Sequence, residues 1–238
     1  MNTPHVIQTT DLSKSYGKTK AVHTLNLTVQ KGEFFGFLGP NGAGKTTTIK
    51  LLTGQIRPDS GQGYVLGIDI ANPIPVKKAV GIVPEVVILP SFLTVVEYLE
   101  FVCRVRSITT DKITFWLEFT GLTRNQTTLC KDLSQGMKQK LSFAAAFIHE
   151  PELVFLDEPF ADVDPLMQNK LKKFLQEYIQ NKGTIFLSTH ILEIAQKLCS
   201  RIAVITKGTI VETGTIPQLL TKGKNLEEVF INLVNTYG

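Results

Sequence analysis

Cysteine is scarce in these 238 residues: Cys103, Cys130 and Cys199 stand far apart and form no CxxC pair. A disulfide framework and a thiolate zinc site are thereby excluded, and the expectation is three buried thiols in a reducing cytosol. Long apolar runs are lacking too. Nowhere do roughly 18 consecutive apolar residues occur, and the opening residues Met1 to Leu12 have no apolar stretch of the signal-peptide type, so the chain is not expected to cross a bilayer alone. Nor is there a strong charge of one sign. The 25 basic and 21 acidic residues leave a net +4, too small and too scattered to argue for nucleic acid. Lys77-Lys78 and Lys172-Lys173 read as solvated faces. There is no fixed-period repeat, low-complexity tract or Gly/Ser linker, which points to one continuous domain followed by a short tail. What is plentiful is apolar residues, at 43%, ample for a buried core.

Periodicity then divides the chain. Strands are predicted around Val6 to Thr9, Ala21 to Val29, Glu33 to Leu38 and Ala79 to Val83, with helix from about Lys45 to Thr53 and a turn-rich break at Pro58 to Gly61. From Thr94 to Arg106, Val95, Val96, Leu99, Val102 and Cys103 recur at three- and four-residue spacing opposite Glu97, Glu100 and Arg104, the pattern of an amphipathic helix. Two more helical patterns cover about Asp111 to Phe119 and Ser134 to Ile148, the latter opened by a capping serine. Strands at Leu153 to Leu156 and Thr184 to Ser188 then alternate with helices at Pro165 to Gln180 and Ile191 to Leu198. Arg201 to Ile205 and Thr209 to Val211 add short strands. The alternation implies a largely buried parallel sheet with ligands at the strand carboxyl ends, and the helical middle reads as an insertion into it.

The chemistry is concentrated in a few segments. Gly39-Pro40-Asn41-Gly42-Ala43-Gly44-Lys45-Thr46-Thr47 fits the phosphate-loop pattern G-x-x-x-x-G-K-[ST], placed between a predicted strand and a predicted helix. Its glycines let the backbone wrap round phosphates, its N–H groups face them, Lys45 supplies a point charge and the Thr46 hydroxyl can ligate magnesium. Such a loop needs an acid for the metal, and Leu153-Val154-Phe155-Leu156-Asp157-Glu158 offers one at the end of an apolar strand. Asp157 suits the metal. Glu158 is one residue further on and suits a general base acting on water. The competing reading is of two carboxylates that merely solvate a strand end.

With these residues in order, the chain resembles, end to end, the nucleotide-binding subunit of an ATP-binding-cassette (ABC) transporter. Leu133-Ser134-Gln135-Gly136-Met137 resembles the family signature LSGGQ and falls between the phosphate loop and the acidic strand, as in that family. The resemblance implies an α/β fold: a phosphate-loop, RecA-like core with a parallel sheet, an antiparallel β subdomain and an inserted α-helical subdomain. It implies one cassette over 1–222, with the insertion at about 88–150, and a helical tail over 223–238. It further implies ATP contacts from Tyr16 (stacking on adenine), Gly39, Asn41, Gly42, Gly44, Lys45, Thr46 and Thr47. Ser134 and Gly136 would contact ATP on a second, head-to-tail cassette, and Asp164 would lie in the loop where the two subunits sense each other. Glu158 and His190, in Ser188-Thr189-His190, would be catalytic, and Mg2+ would be held by Thr46, Asp157 and Glu85. The implied partners are a second cassette and a separate membrane-spanning subunit, at the cytoplasmic face of the membrane.

Departures from the family pattern sharpen the reading. Glu85 stands where many importers carry Gln, the signature has Gln135 and Met137 followed by Lys138-Gln139-Lys140, and Ala161 and Asp162 replace the usual small-residue pattern beside Asp164. The Met-Lys-Gln run with Pro84-Glu85 resembles ATPases of drug, antibiotic and polysaccharide exporters, so outward transport is expected. Two rivals are a soluble ABC ATPase of ribosomes or DNA, which would show paired cassettes, coiled coils or zinc motifs, and a regulatory subunit without turnover. His23 and His149 receive no role, and His5 is expected in a flexible terminus.

Overall fold

The computed structural model describes residues 5–237; residues 1–4 and 238, where the expected cassette begins and the expected tail ends, lie outside the described residues. The chain opens with an antiparallel hairpin of β1 (His5–Tyr16) and β2 (Thr19–Gln30), followed by β3 (Phe34–Leu38) and α1 (Lys45–Leu52). Next come β4 (Ser60–Val65), β5 (Ile68–Asp69), α2 (Pro73–Ala79) and β6 (Val80–Val83). Three helices follow, α3 (Val95–Arg106), α4 (Ile113–Thr120) and α5 (Gln135–Phe147), before β7 (Leu153–Asp157), α6 (Pro165–Gln180) and β8 (Thr184–Thr189). The chain closes with α7 (Leu192–Leu198), β9 (Arg201–Thr206), β10 (Thr209–Thr215), α8 (Ile216–Leu220) and α9 (Leu226–Tyr237).

Two sheets result, one in the order β2-β1-β4-β5 and one in the order β10-β9-β3-β8-β7-β6. In the second, β9, β3, β8, β7 and β6 run parallel and β10 runs antiparallel to β9. Strands β3, β7 and β8 are buried at every position, as a sheet covered on both faces requires. Alternation of side chains assigns each face a partner. Phe34, Leu38, Val154 and Leu156 pack with the apolar faces of α3 to α6, whereas Phe35, Phe37, Phe155 and Phe186 pack with α1 and the antiparallel sheet.

The two sheets are also tied by one charged clamp. Arg201 grips Glu33 with two bonds of 3.0 Å (Nε to Oε1 and Nη2 to Oε2), donates to Thr28 O, and lies 5.0 Å from the Phe35 ring centroid. The pair is mostly buried, so removing one partner leaves the other carrying its desolvation cost. We expect Arg201→Ala to lower unfolding free energy by about 2–3 kcal/mol, read by urea denaturation.

The helical middle meets the parallel sheet through a second cation. Arg106, the last residue of α3, donates to Lys77 O and Lys78 O at the end of α2 and to Val80 O at the start of β6, and its Nη1 lies 2.7 Å from His149 Nε2. Burial, and then the Arg106 charge, pull the pKa of His149 down to about 4. An unfolded histidine titrates near 6.5, so between pH 6.5 and 4 the unfolded chain binds the extra proton, and this contribution to stability is lost as pH falls through that window. His149 is only partly shielded from water, which reduces the effect. We expect wild type to lose about 1 kcal/mol more than His149→Phe between pH 6.5 and 4.5, by urea titration at each pH.

Several elements differ from expectation. His5 is not in a loose terminus but pairs with Gln30 at the start of β1. Residues 79–83 divide, Ala79 closing α2 and only Val80 onward entering the sheet. The expected break at Pro58 to Gly61 runs into β4, and β10 continues to Thr215. The three cysteines are free and buried. Among the described residues no helix is long and apolar enough to cross a membrane.

Candidate functional site

The site is built on the turn from β3 into α1. Burial of β3 fixes where the strand ends, and Gly44 then takes φ +106 as the N-cap of α1, with no side chain capping the helix and no acidic residue in its first turn. The first N–H groups of a helix have no intrahelical acceptor, so this uncapped end presents donors and the positive end of the helix dipole to the loop's hollow. Lys45 is 8% exposed, and its Nζ donates to Gly39 O at 2.8 Å and Pro40 O at 3.2 Å. The loop's own carbonyls thus hold the ammonium inside it.

The carboxyl end of β7 faces this helix start. Thr46 Oγ1 donates to Asp157 Oδ2 at 2.7 Å and lies 3.4 Å from Glu85 Oε2. Burial pushes the Asp157 carboxyl above the ordinary aspartate range; the hydroxyls of Ser188 and Thr46 pull it down, and Glu85 and Glu158 push it up again. Asp157 and Ser188 are cross-strand neighbours, but buried Asp157 Oδ1 and Ser188 Oγ each lack a well-formed hydrogen bond. A buried carboxylate oxygen without a well-formed hydrogen bond, beside a hydroxyl and a second carboxylate, is a hard all-oxygen set. It fits a cation such as Mg2+, which takes one or two protein carboxylates and fills its remaining positions with water and phosphate oxygens.

Glu158 is held differently. It adopts φ +47, is 8% exposed, and its backbone N–H donates to Ser188 O. Its Oε1 accepts from His190 N at 2.9 Å and lies 2.7 Å from His190 Nδ1, while Oε2 accepts from Thr189 Oγ1 at 2.9 Å. A carboxylate opposite Nδ1 requires the proton on that nitrogen, which leaves His190 Nε2 free.

One cavity of about 260 Å³ gathers Asn41, Gly42, Gly44, Lys45, Thr46, Thr47, Glu85, Asp157 and Glu158, together with Thr19 and Ala21. The last two come from β2, and no sequence pattern singled them out. Tyr16 does not line the cavity; half-exposed, it is the cross-strand partner of Thr19. Ser134 and Gly136 do not line it either. Ser134 caps α5 by accepting from Met137 N, and a Cβ on Gly136 would lie 2.5 Å from Asp162 O. Asp164 caps α6 through Met167 N and pairs with Lys140 Nζ at 3.2 Å. The bond from Met167 N, and then Lys140, hold its carboxyl below the usual range. The signature residues and Asp164 therefore form a second group, apart from the phosphate loop of the same chain.

Comparison with known proteins gives a consistent picture. The family described as “ABC transporter” matches residues 22–161. The chain is 32% identical over 240 residues to the linearmycin resistance ATP-binding protein LnrL of Bacillus subtilis (strain 168), spanning 97% of this chain and 76% of that protein. It is 38% identical over 210 residues to the bacitracin transport ATP-binding protein BcrA of Bacillus licheniformis, spanning 87% and 69%. The solved ATP-binding subunit of an ABC transporter superposes with a TM-score of 0.90 at 29% identity, over 96% of this chain and 99% of that one.

Proposed function

This chain belongs to the ABC transporter family as an ATP-binding, ATP-hydrolysing cassette, and on that premise we propose the residues that do the chemistry and the work that it drives. The observation that carries the proposal is the convergence of Lys45, Thr46, Glu85, Asp157 and Glu158 on one cavity. Gly39, Asn41, Gly42, Gly44 and Thr47 wrap the ATP phosphates with backbone donors, Lys45 turns from the loop carbonyls to the terminal phosphates, and Tyr16 stacks on the adenine at the cavity's edge. Thr46, Asp157 and Glu85 hold Mg2+, which supplies charge neutralisation across the phosphates. Glu158 accepts the proton of the attacking water, and His190 borders the terminal phosphate.

The separation of Ser134, Gly136 and Asp164 from the cavity of their own chain supports completion of each site by a second cassette, arranged head to tail. Ser134 at the start of α5 then brings a hydroxyl and a helix N-terminus to the partner's ATP. In this reading residues 1–222 form the cassette, about 88–150 its helical insertion, and 223–238 the tail.

The work done is export through a separate membrane-spanning subunit, with the cassette peripheral at the cytoplasmic face of the membrane. A groove of about 340 Å³ opens between the core and α3, lined by Pro84, Val87, Tyr98, Phe101, Val105 and Arg106 among others. Ile88, at 87% exposure, lines it too. Exposed apolar residues grouped in this way mark an interaction surface, one whose Pro84 and Val87 flank Glu85 in sequence. The relatives named for linearmycin resistance and bacitracin transport, with the Pro84-Glu85 and Met137-Lys138-Gln139 departures, support the outward direction. Co-purification of the chain with the membrane subunit, and loss of that complex in Ile88→Asp, tests the surface; an undiminished complex would refute it.

A further inference from the structure

We propose that Thr189 is a positioning residue for the hydrolytic reaction, fixing the orientation of the Glu158 carboxylate; this rests on the reading of Glu158 as general base. Thr189 ends β8, beside the β7 strand that carries Asp157 and leads into Glu158. It is 1% exposed, so its hydroxyl has no recourse to solvent. Its Oγ1 accepts from Ile191 N at 3.1 Å and donates to Glu158 Oε2 at 2.9 Å. A hydroxyl has a single proton, and with Ile191 N–H directed at its lone pair, that proton is committed to the carboxylate.

The two oxygens of Glu158 are thus anchored from different residues, Oε2 by Thr189 and Oε1 by the N–H and ring of His190. His190 alone leaves the carboxylate free to pivot about Oε1. The second anchor fixes the plane of the carboxylate, and with it the direction of the lone pair that meets water. The strained backbone of Glu158, at φ +47, makes the side chain's direction depend on such contacts. His190 is half exposed and is also assigned to the phosphate, whereas the enclosed Thr189 hydroxyl has Glu158 as its one acceptor. Ordering of a base to within about 0.5 Å distinguishes a site that works from one that merely contains the right groups.

The test compares Thr189→Val, which keeps the shape and removes the hydroxyl, with Thr189→Ser, which keeps the hydroxyl, in Mg2+-dependent phosphate release by the full chain. The expected result for Thr189→Val is a kcat lowered roughly tenfold or more with KM for ATP within about twofold of wild type, and for Thr189→Ser recovery to within a few-fold of wild-type kcat. Thr189→Ala is read in the same way as Val should Val fail to fold. A wild-type kcat in the Val variant would overturn the proposal. So would a loss shared equally between kcat and KM, or one that Ser does not rescue, since either is the mark of a merely structural role. Glu158→Gln is the control for the underlying reading. If it keeps turnover, the base assignment itself fails; if it loses turnover while Thr189→Val does not, only the positioning role fails.

Discussion

Glu158→Gln is expected to lower phosphate release by about 10²–10⁴-fold while leaving ATP affinity within a few-fold of wild type. The amide keeps the size of the carboxylate but cannot take a proton from water at neutral pH. It also turns one of the two acceptors that serve Thr189 Oγ1 and the His190 donors into a donor, so one of those bonds becomes donor against donor. Binding is largely spared because, of the groups assigned to the phosphates, Lys45 and the start of α1 are not hydrogen-bonded to Glu158 and only His190 is. Single-turnover phosphate release beside fluorescent-nucleotide titration separates the two effects. Retention of turnover would move the base elsewhere.

Gly44→Ala carries the second large effect, this time on the loop itself. The residue sits at φ +106, where an L side chain is strained, and a Cβ there would lie 2.2 Å from the backbone oxygen of Ala21 on β2. Neither atom belongs to a flexible side chain, so either the phosphate loop or the hairpin must move. Moving the loop displaces Lys45 and Thr46 directly. We expect ATP affinity to fall about 100-fold or more and unfolding free energy to fall by about 2–4 kcal/mol, measured by equilibrium dialysis and by urea denaturation. Gly42→Ala is the internal comparison. Its φ is +78 but its Cβ would meet no protein atom within 4 Å, so the fold bears only backbone strain, about 1 kcal/mol, while ATP affinity still falls because Gly42 lines the cavity assigned to the phosphates.

What could be read from the sequence were the segments whose local and tertiary demands agree. The Gly39 to Thr47 loop, the strand into Asp157 and the α3 stripe each have a composition that is satisfied by their own period and burial. Family and fold followed from these. Elements that depend on distant partners were not legible. No helix is expected over Pro73–Ala79, yet proline is tolerated in the first turn of a helix, and the end of α2 is held by Arg106, nearly thirty residues downstream. The turn-rich break expected at Pro58 to Gly61 gives way at Ser60 to a strand, because pairing with β1 holds it extended. Gly61 is needed there, since its Cβ would meet the Asp11 carbonyl at 2.3 Å. This is tertiary contact overriding local preference.

The candidate site shows the same division. Motifs named Lys45, Thr46, Asp157, Glu158 and His190, but not the hydroxyl of Thr189 between them, because a threonine at a strand end is unremarkable until its partner is known. Thr19 and Ala21 enter the cavity only through the hairpin's position against α1. His149, given no role from sequence, proves to be the partner of Arg106.

The most direct measurement is Mg2+-dependent phosphate release from ATP by the purified chain, followed as a function of chain concentration. Because Ser134 and Gly136 lie apart from the phosphate loop of their own chain, turnover per chain should rise with concentration toward a plateau as paired cassettes form, and Lys45→Ala and Glu158→Gln should abolish it. A rate per chain that is independent of concentration down to nanomolar levels, or no release above background at any concentration, would contradict an ATP-hydrolysing cassette that works as a head-to-tail pair.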